Sequence, residues 1–555
     1  MADRPRPSSG TVLLRPPRWC VATAAGFANA DRGGQGVRGG SVNPGAIVVG
    51  GGHNGLVCAA YLARDGIRPL VVEARATIGG AAGTDDAIGA RVNICSCDHG
   101  MVRGSPLIDE LGLAGLGLEY LDVDPGGVAL GWDAPGPAPI FASVAQTLDA
   151  LGVHYPHAVD GYRRYARAAI PVAELVRDLA NADPTGPSLL RTALARRSTA
   201  AVRLLRWSRL TVAQVLGHYF DDDDLLGPAI AHGPAVWGVS PHTPGTGLGA
   251  LAMANKHVNP VGRPRGGSGR LTDALGAAVA GGGGAIRTST RVAAIVCEGE
   301  HVRGVEFADG TLVEAPLVVI ACDPREAIVR YLRNAPASAG EFVQRWTATP
   351  QPEGYESKLD ARLTALPTWR AQSEGLQAIG FADAHTPTTF IAPGVAAIAD
   401  AHARSGRGEV AERPMFLINF PSVADPSLAP PGEHVMGLEV LYTPYAFRGG
   451  WAAPTEPERW LDVAATLFEP GWRDSIAEYR VNTPDVFDRE YGMPKGYATS
   501  FPGGPLSTVL GRQRALSRYT TPIAGLYVTG AATFPGAGVW GAPGRNAAAT
   551  ILRSA

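Results

Sequence analysis

Gly50, Gly52 and Gly55 stand at the spacing Gly-x-Gly-x-x-Gly, and a carboxylate, Glu73, follows 23 residues after the first of them. Each position has a physical use. A glycine at 50 permits a tight turn, one at 52 lets backbone approach a pyrophosphate, and one at 55 lets a helix pack closely on a strand. A helix N-terminus behind the motif offers free N–H groups and partial positive charge to phosphates. Glu73 can accept hydrogen bonds from an adenosine ribose. His53 and Asn54 lie inside the motif, and His53 reads as packing near the phosphates rather than as a proton carrier. Past Glu73, Ala74 and Arg75 lead to a second glycine pair, Gly79-Gly80, and Ala81. That pair exposes further backbone N–H to a ligand longer than one mononucleotide.

The elements that must position these residues are legible around them. Residues 46–50 form a short β-branched strand, 56–65 a helix ended by Gly66, and 68–73 a second strand. The unit has the length of one βαβ half of a nucleotide-binding fold. Residues 525–530 read as a buried strand, 531–538 as a Gly/Pro loop and 539–552 as a final helix; Gly536, Gly538, Gly541 and Gly544 are costly there without a close neighbour. Between these ends, 272–280 is an amphipathic helix. Strands follow at 291–297, 302–307 and 312–315 around an Asp309-Gly310 turn, then a core strand at 317–321. Residues 143–151, 161–179 and 189–218 carry helical spacing. Residues 416–420 and 434–442 read as strands and 457–467 as a helix.

Composition bounds the function. The 555 residues are 45% hydrophobic, enough for a sizeable core, and 49 basic side chains balance 51 acidic ones, which argues against a nucleic-acid binder. Only three basic residues are lysines: Lys256, Lys358 and Lys495. Six cysteines without a Cys-x-x-Cys pair predict reduced thiols and a cytoplasmic setting. Cys95-x-Cys97-x-His99 lacks the further ligands of a metal site, so no metal is expected. No apolar run reaches the ~20 residues of a membrane span. The first 44 residues, Arg- and Gly-rich, read as a disordered extension.

The segments His53–Leu62, Arg75-x-x-Ile78-Gly79-Gly80, and Tyr527–Gly530 through Phe534–Asn546 together resemble the phytoene desaturase-like flavoproteins, in the branch that holds carotene ketolases. Residues 421–432 are similar to the same branch. The resemblance covers roughly 45–555 and implies an α/β fold shared with amine oxidases: a Rossmann-type FAD-binding domain of the glutathione-reductase-2 type, interrupted by a mixed substrate domain. It implies FAD held without a covalent bond by Gly50, Gly52, His53, Asn54, Gly55, Glu73, Ala74, Arg75, Gly79, Gly80 and Ala81. Val292 would meet the adenosine, and Gly530 and Val539 the ribitol and flavin. The FAD domain is then expected at 45–125, 251–335 and 506–555, with a mainly helical substrate or lid part at 126–250 that joins 336–505 to form the substrate domain.

With that cofactor the expected chemistry is hydride transfer from a C–H bond to flavin N5 by a desaturase or dehydrogenase acting on a largely apolar, isoprenoid-like substrate. Oxygen, a quinone or another flavoprotein would reoxidise it. Amine oxidation, reduced-flavin isomerisation and, last, non-enzymatic lipid escort are the alternatives on the same fold; an amine oxidase would add an aromatic pair at the flavin that the sequence does not locate. A base is not obligatory. His99, Lys495 and Lys256 with His257 are the candidates by residue type. From Pro184 to Phe220 there is no Asp or Glu, while Arg191, Arg196, Arg197, Arg203, Arg206 and Arg209 interleave with leucines. Residues 189–210 therefore read either as a peripheral membrane contact or as a lid helix paired with Asp221–Asp224.

Overall fold

The computed structural model describes residues 44–95, 97–195, 198–233, 238–371, 374–378, 380–381, 384–452, 455–497 and 518–554. Residues 1–43 of the 44-residue extension, with Arg196 and Arg197, lie outside them.

Apolar runs too short for helices become the strands of a parallel sheet. Its order across is Leu526–Val528, Val318–Ile320, Ala46–Val49, Pro69–Val72 and Ala285–Arg287. Every neighbouring pair is parallel. Such strands are buried on both faces, which is why their sequences do not alternate. Ala46, Val48 and Val319 pack against three helices, His53–Arg64, Gly269–Gly281 and Ala542–Ser554. Ile47, Val49 and Ile320 face a meander built on Val292–Glu298 and His301–Phe307. The first helix begins at His53, three residues earlier than its apolar spacing indicates, because Gly52 caps it in extended conformation.

A second sheet has seven strands. Their order is Ile476–Asn482, Glu356–Leu363, His434–Leu441, Phe416–Asn419, Thr389–Ala392, Gly127–Gly131 and Ala138–Ile140. The region 126–250 is thus not purely helical: it opens with two strands that complete a sheet begun more than two hundred residues later. Gly-Val-Ala-Leu-Gly carries no alternation that would betray a strand, since both its faces are covered. The helices Val144–His154, Val159–Asn181, Gly186–Ala195, Ser198–Trp207, Val212–Leu216 and Asp223–Ala231 follow.

The central strands of this sheet have two unlike faces. Leu359, Ala361, Leu438, Val440, Phe416 and Ile418 form an apolar core with Trp460 and Leu461 of the helix Thr455–Ala465. The opposite face carries Glu356, Lys358 and Asp360 on one strand, with Lys358 in register with Glu439, Glu439 with Leu417, and Leu417 with Phe390.

Candidate functional site

Between the glycine loop and the charged face of the seven-stranded sheet lies a cavity of about 1190 Å³. Gly50, Gly52, His53, Asn54, Glu73, Ala74, Arg75, Gly80, Ala81, Val292, Gly530 and Val539 all line it. Gly55 and Gly79 stand behind the wall and shape it. Gly50 takes φ +113°, and a side-chain carbon there would fall 2.9 Å from the Ala321 carbonyl oxygen. At Gly55 it would fall 2.3 Å from the Gly50 oxygen, so this glycine is what lets helix and strand touch. At Gly52 it would meet nothing within 4 Å. The second glycine pair is packed on the first: the Gly79 N–H donates to the Gly51 oxygen at 2.8 Å, and a side chain at Gly80 would approach Gly52 Cα to 3.2 Å. The N–H of Gly79 is therefore spent inside the protein.

Glu73 accepts from the Gly51 N–H and the Arg75 N–H, both at 2.8 Å, which fixes its carboxylate at the strand end with acceptor capacity to spare. Arg75 lies over the Tyr491 ring at 4.6 Å, and one of its buried guanidinium nitrogens, Nη1, has no partner. The Asn54 amide oxygen and the Thr529 hydroxyl are likewise buried without partners. The His53 imidazole reaches the Gly538 carbonyl at 3.2 Å, and burial draws its pKa down to about 4. A helix N-terminus with no side chain on its N–H groups, an open Cα face at Gly52 and an orphaned guanidinium nitrogen form a donor set suited to a dinucleotide's phosphates. These residues fit FAD.

The candidate bases part company. His99 does not reach the cavity: it is fully buried, its ring nitrogens engaged by the Tyr120 hydroxyl at 3.0 Å and the Ser268 hydroxyl at 2.8 Å, and burial lowers its pKa to about 3. It is a structural tie between segments, and a neutral one. Lys495 stands at the rim, its side chain 43% exposed and paired with Glu353 at 2.9 Å. Lys256 lines the cavity, with its ammonium 5.9 Å from the Phe390 ring centre; burial lowers its pKa, partly offset by Asp98. His257 turns instead to the Tyr162 hydroxyl and the Ala142 carbonyl.

Sequence spacing did not point to Glu356 and Glu439. Both line the cavity, and neither has a hydrogen bond or ion pair among the described residues. Glu439 stands opposite Lys358, yet that ammonium goes to Asp360 and to the Asn93 carbonyl at 2.7 Å. Burial holds the Glu356 carboxyl up at about 7, and burial with Glu356 beside it holds Glu439 at about 8, Lys358 opposing both. His232, stacked on Phe390, also lines the cavity with both ring nitrogens unpartnered. One signal was available: a lone Glu inside Gly-Leu-Glu-Val-Leu, and charges on alternate residues of Glu-Ser-Lys-Leu-Asp. Of aromatic pairs at this wall, Tyr355 lines the cavity and meets Tyr497 edge to face at 5.8 Å.

Residues 48–102 match the NAD(P)-binding Rossmann-like domain model and residues 134–357 the flavin containing amine oxidoreductase model. The chain belongs to the amine-oxidase and phytoene desaturase-like family of FAD oxidoreductases. Within it, the chain is 28% identical to pyridine nucleotide-disulfide oxidoreductase domain-containing protein 2 of Mus musculus, over 92% of this chain and 93% of that one. It is 27% identical to the lycopene-forming phytoene desaturase of Pseudescherichia vulneris, over 89% of this chain and 96% of that one. Among solved structures, putrescine oxidase bound to putrescine shares the fold with a TM-score of 0.62 at 17% identity, over 92% of this chain and 99% of that one. The protein is thus a flavin oxidoreductase of this superfamily.

Proposed function

We propose that the protein is a dehydrogenase that holds FAD in this cavity and removes hydrogen from a C–H bond of a substrate with a largely apolar body. What carries the reading is one continuous cavity, walled at one end by Gly50, Gly52 and Glu73 and at the other by Phe390, Leu417, Glu356 and Glu439. Bound FAD supplies a hydride acceptor at flavin N5. The chain supplies the rest. The first helix's N-terminal N–H groups and Arg75 hold the phosphates, and Glu73 the ribose. Phe390 and Leu417 exclude water and seat the apolar body against the ring. Glu439, with Glu356 beside it, takes the proton that leaves the neighbouring carbon or heteroatom; a carboxyl poised near neutrality is matched to that task.

A second reading, oxidation of an amine, is favoured by the same two carboxylates, which would attract an ammonium group. The discriminating experiment begins with the purified yellow protein, its chromophore released and identified by mass. Anaerobic mixing with a panel of terpenoid hydrocarbons, and separately with primary and secondary amines, then follows loss of flavin absorbance. Bleaching by the hydrocarbons supports dehydrogenation and bleaching by amines the second reading. A colourless protein that cannot be reconstituted with FAD overturns both.

A further inference from the structure

We propose that the helices Gly186–Ala195 and Ser198–Trp207 form the face with which this protein lies on an anionic lipid bilayer. Six large apolar side chains are exposed among the described residues, and four of them are here: Leu190 at 61%, Leu194 at 75%, Val202 at 65% and Leu205 at 41%. Leu190 and Leu194 are four residues apart and Val202 and Leu205 three, so each pair shares one outward face of its helix. The inner faces are anchored: Leu204 and Trp207 are buried in the core that includes Tyr165, Ala169 and Val172 of the long helix Val159–Asn181.

Charge selects the partner. Arg191 and Arg206 lie within one turn of these apolar side chains and Arg209 in the turn just beyond, all exposed. None of the three has a carboxylate within ion-pair distance among the described residues. The acids at 221–224 are not their partners: Asp222 caps the helix Asp223–Ala231 and pairs with His157 at 2.9 Å. Apolar side chains interleaved with unneutralised arginines, in a stretch without one acid, match the boundary between headgroups and acyl chains of an anionic leaflet. A second protein copy would bring its own positive charge to this face.

The face also borders the cavity wall. A side chain at Gly247 would fall 2.3 Å from the Trp207 carbonyl oxygen, and the next residue, Leu248, lines the cavity. An apolar molecule dissolved in the bilayer would thus meet the protein beside its cavity. Binding to lipid does not depend on the flavin chemistry and is read without turnover, so the two can fail separately.

The test is co-sedimentation of the full-length flavin-loaded protein with vesicles of phosphatidylcholine alone and of phosphatidylcholine with phosphatidylglycerol. Expected is binding to the mixed vesicles alone, weakened by salt. Each of Arg191→Gln, Arg206→Gln and Arg209→Gln should lower affinity roughly five-fold. The double variant Leu190→Glu/Leu194→Glu should abolish binding with unchanged circular dichroism and flavin content. The proposal is overturned if the native protein stays in the supernatant with both vesicle types, or if the double variant binds as tightly as the native chain. It is equally overturned if the double variant turns an oligomer into a monomer in lipid-free buffer, because a second copy would then cover the face.

Discussion

Gly52 and Gly55 sit three residues apart and are glycine for opposite reasons. Gly52 opens on the cavity, so Gly52→Val is expected to leave the apo-protein's unfolding midpoint unchanged while the flavin-to-protein absorbance ratio falls close to zero; full flavin occupancy would mean that the phosphates lie elsewhere. Gly55→Val forces a side chain into the Gly50 carbonyl and should cost about 3 kcal/mol or more in urea unfolding, whether or not flavin is present. The three lysines also divide. Lys256 faces the cavity, Lys495 the rim, and Lys358 is buried with Asp360, where Lys358→Ala should cost about 1.5–3 kcal/mol, because that carboxylate keeps only Arg480 at 3.1 Å. Glu356 and Glu439 make apo stability depend on pH. Their carboxyls are raised, to about 7 and about 8, so the native state keeps protons that the unfolded chain releases. Stability should therefore fall as pH rises from about 5 through about 8, and Glu439→Gln should flatten that decline in thermal scans.

At the scale of elements, the decisive contact joins the first helix to the last. A side chain at Gly544 would fall 2.3 Å from the Asn54 carbonyl oxygen and 2.8 Å from Val57. Gly544→Val should therefore lower stability by about 1–3 kcal/mol and weaken flavin retention too, because it pushes on the turn that presents Asn54 to the cavity; equilibrium dialysis of released flavin reads the second effect. Both partners of that contact were visible in sequence, as was the need for a close neighbour at Gly536–Gly544. The strand Gly127–Gly131 was not, because a strand covered on both faces has no alternation to read. Nor was the inaccessibility of His99. Residue type made it a plausible base, and only its burial against Tyr120 and Ser268 removes it.

The whole molecule is held by strands that meet across long stretches of chain. The parallel sheet gathers 46–72, 285–320 and 526–528, and the seven-stranded sheet gathers 127–140 and 356–482. A chain stopped before Tyr519 would lose the edge strand beside Val318–Ile320 and the helix against His53–Arg64. It is expected to be insoluble or free of flavin; soluble expression with full flavin content would contradict that. The sequence by itself determined what local chemistry can encode: the glycine spacing, the short β-branched strand before it, the carboxylate after it, and the acid-free arginine stretch. Those features depend on neighbours within a few turns of chain. Only the tertiary structure decided which side chains face the cavity. Glu356 and Glu439 are brought side by side by the pairing of two strands some eighty residues apart, and His99 is turned away by a serine 169 residues downstream. Such contacts are set by packing of the finished sheets, which no short window of sequence contains.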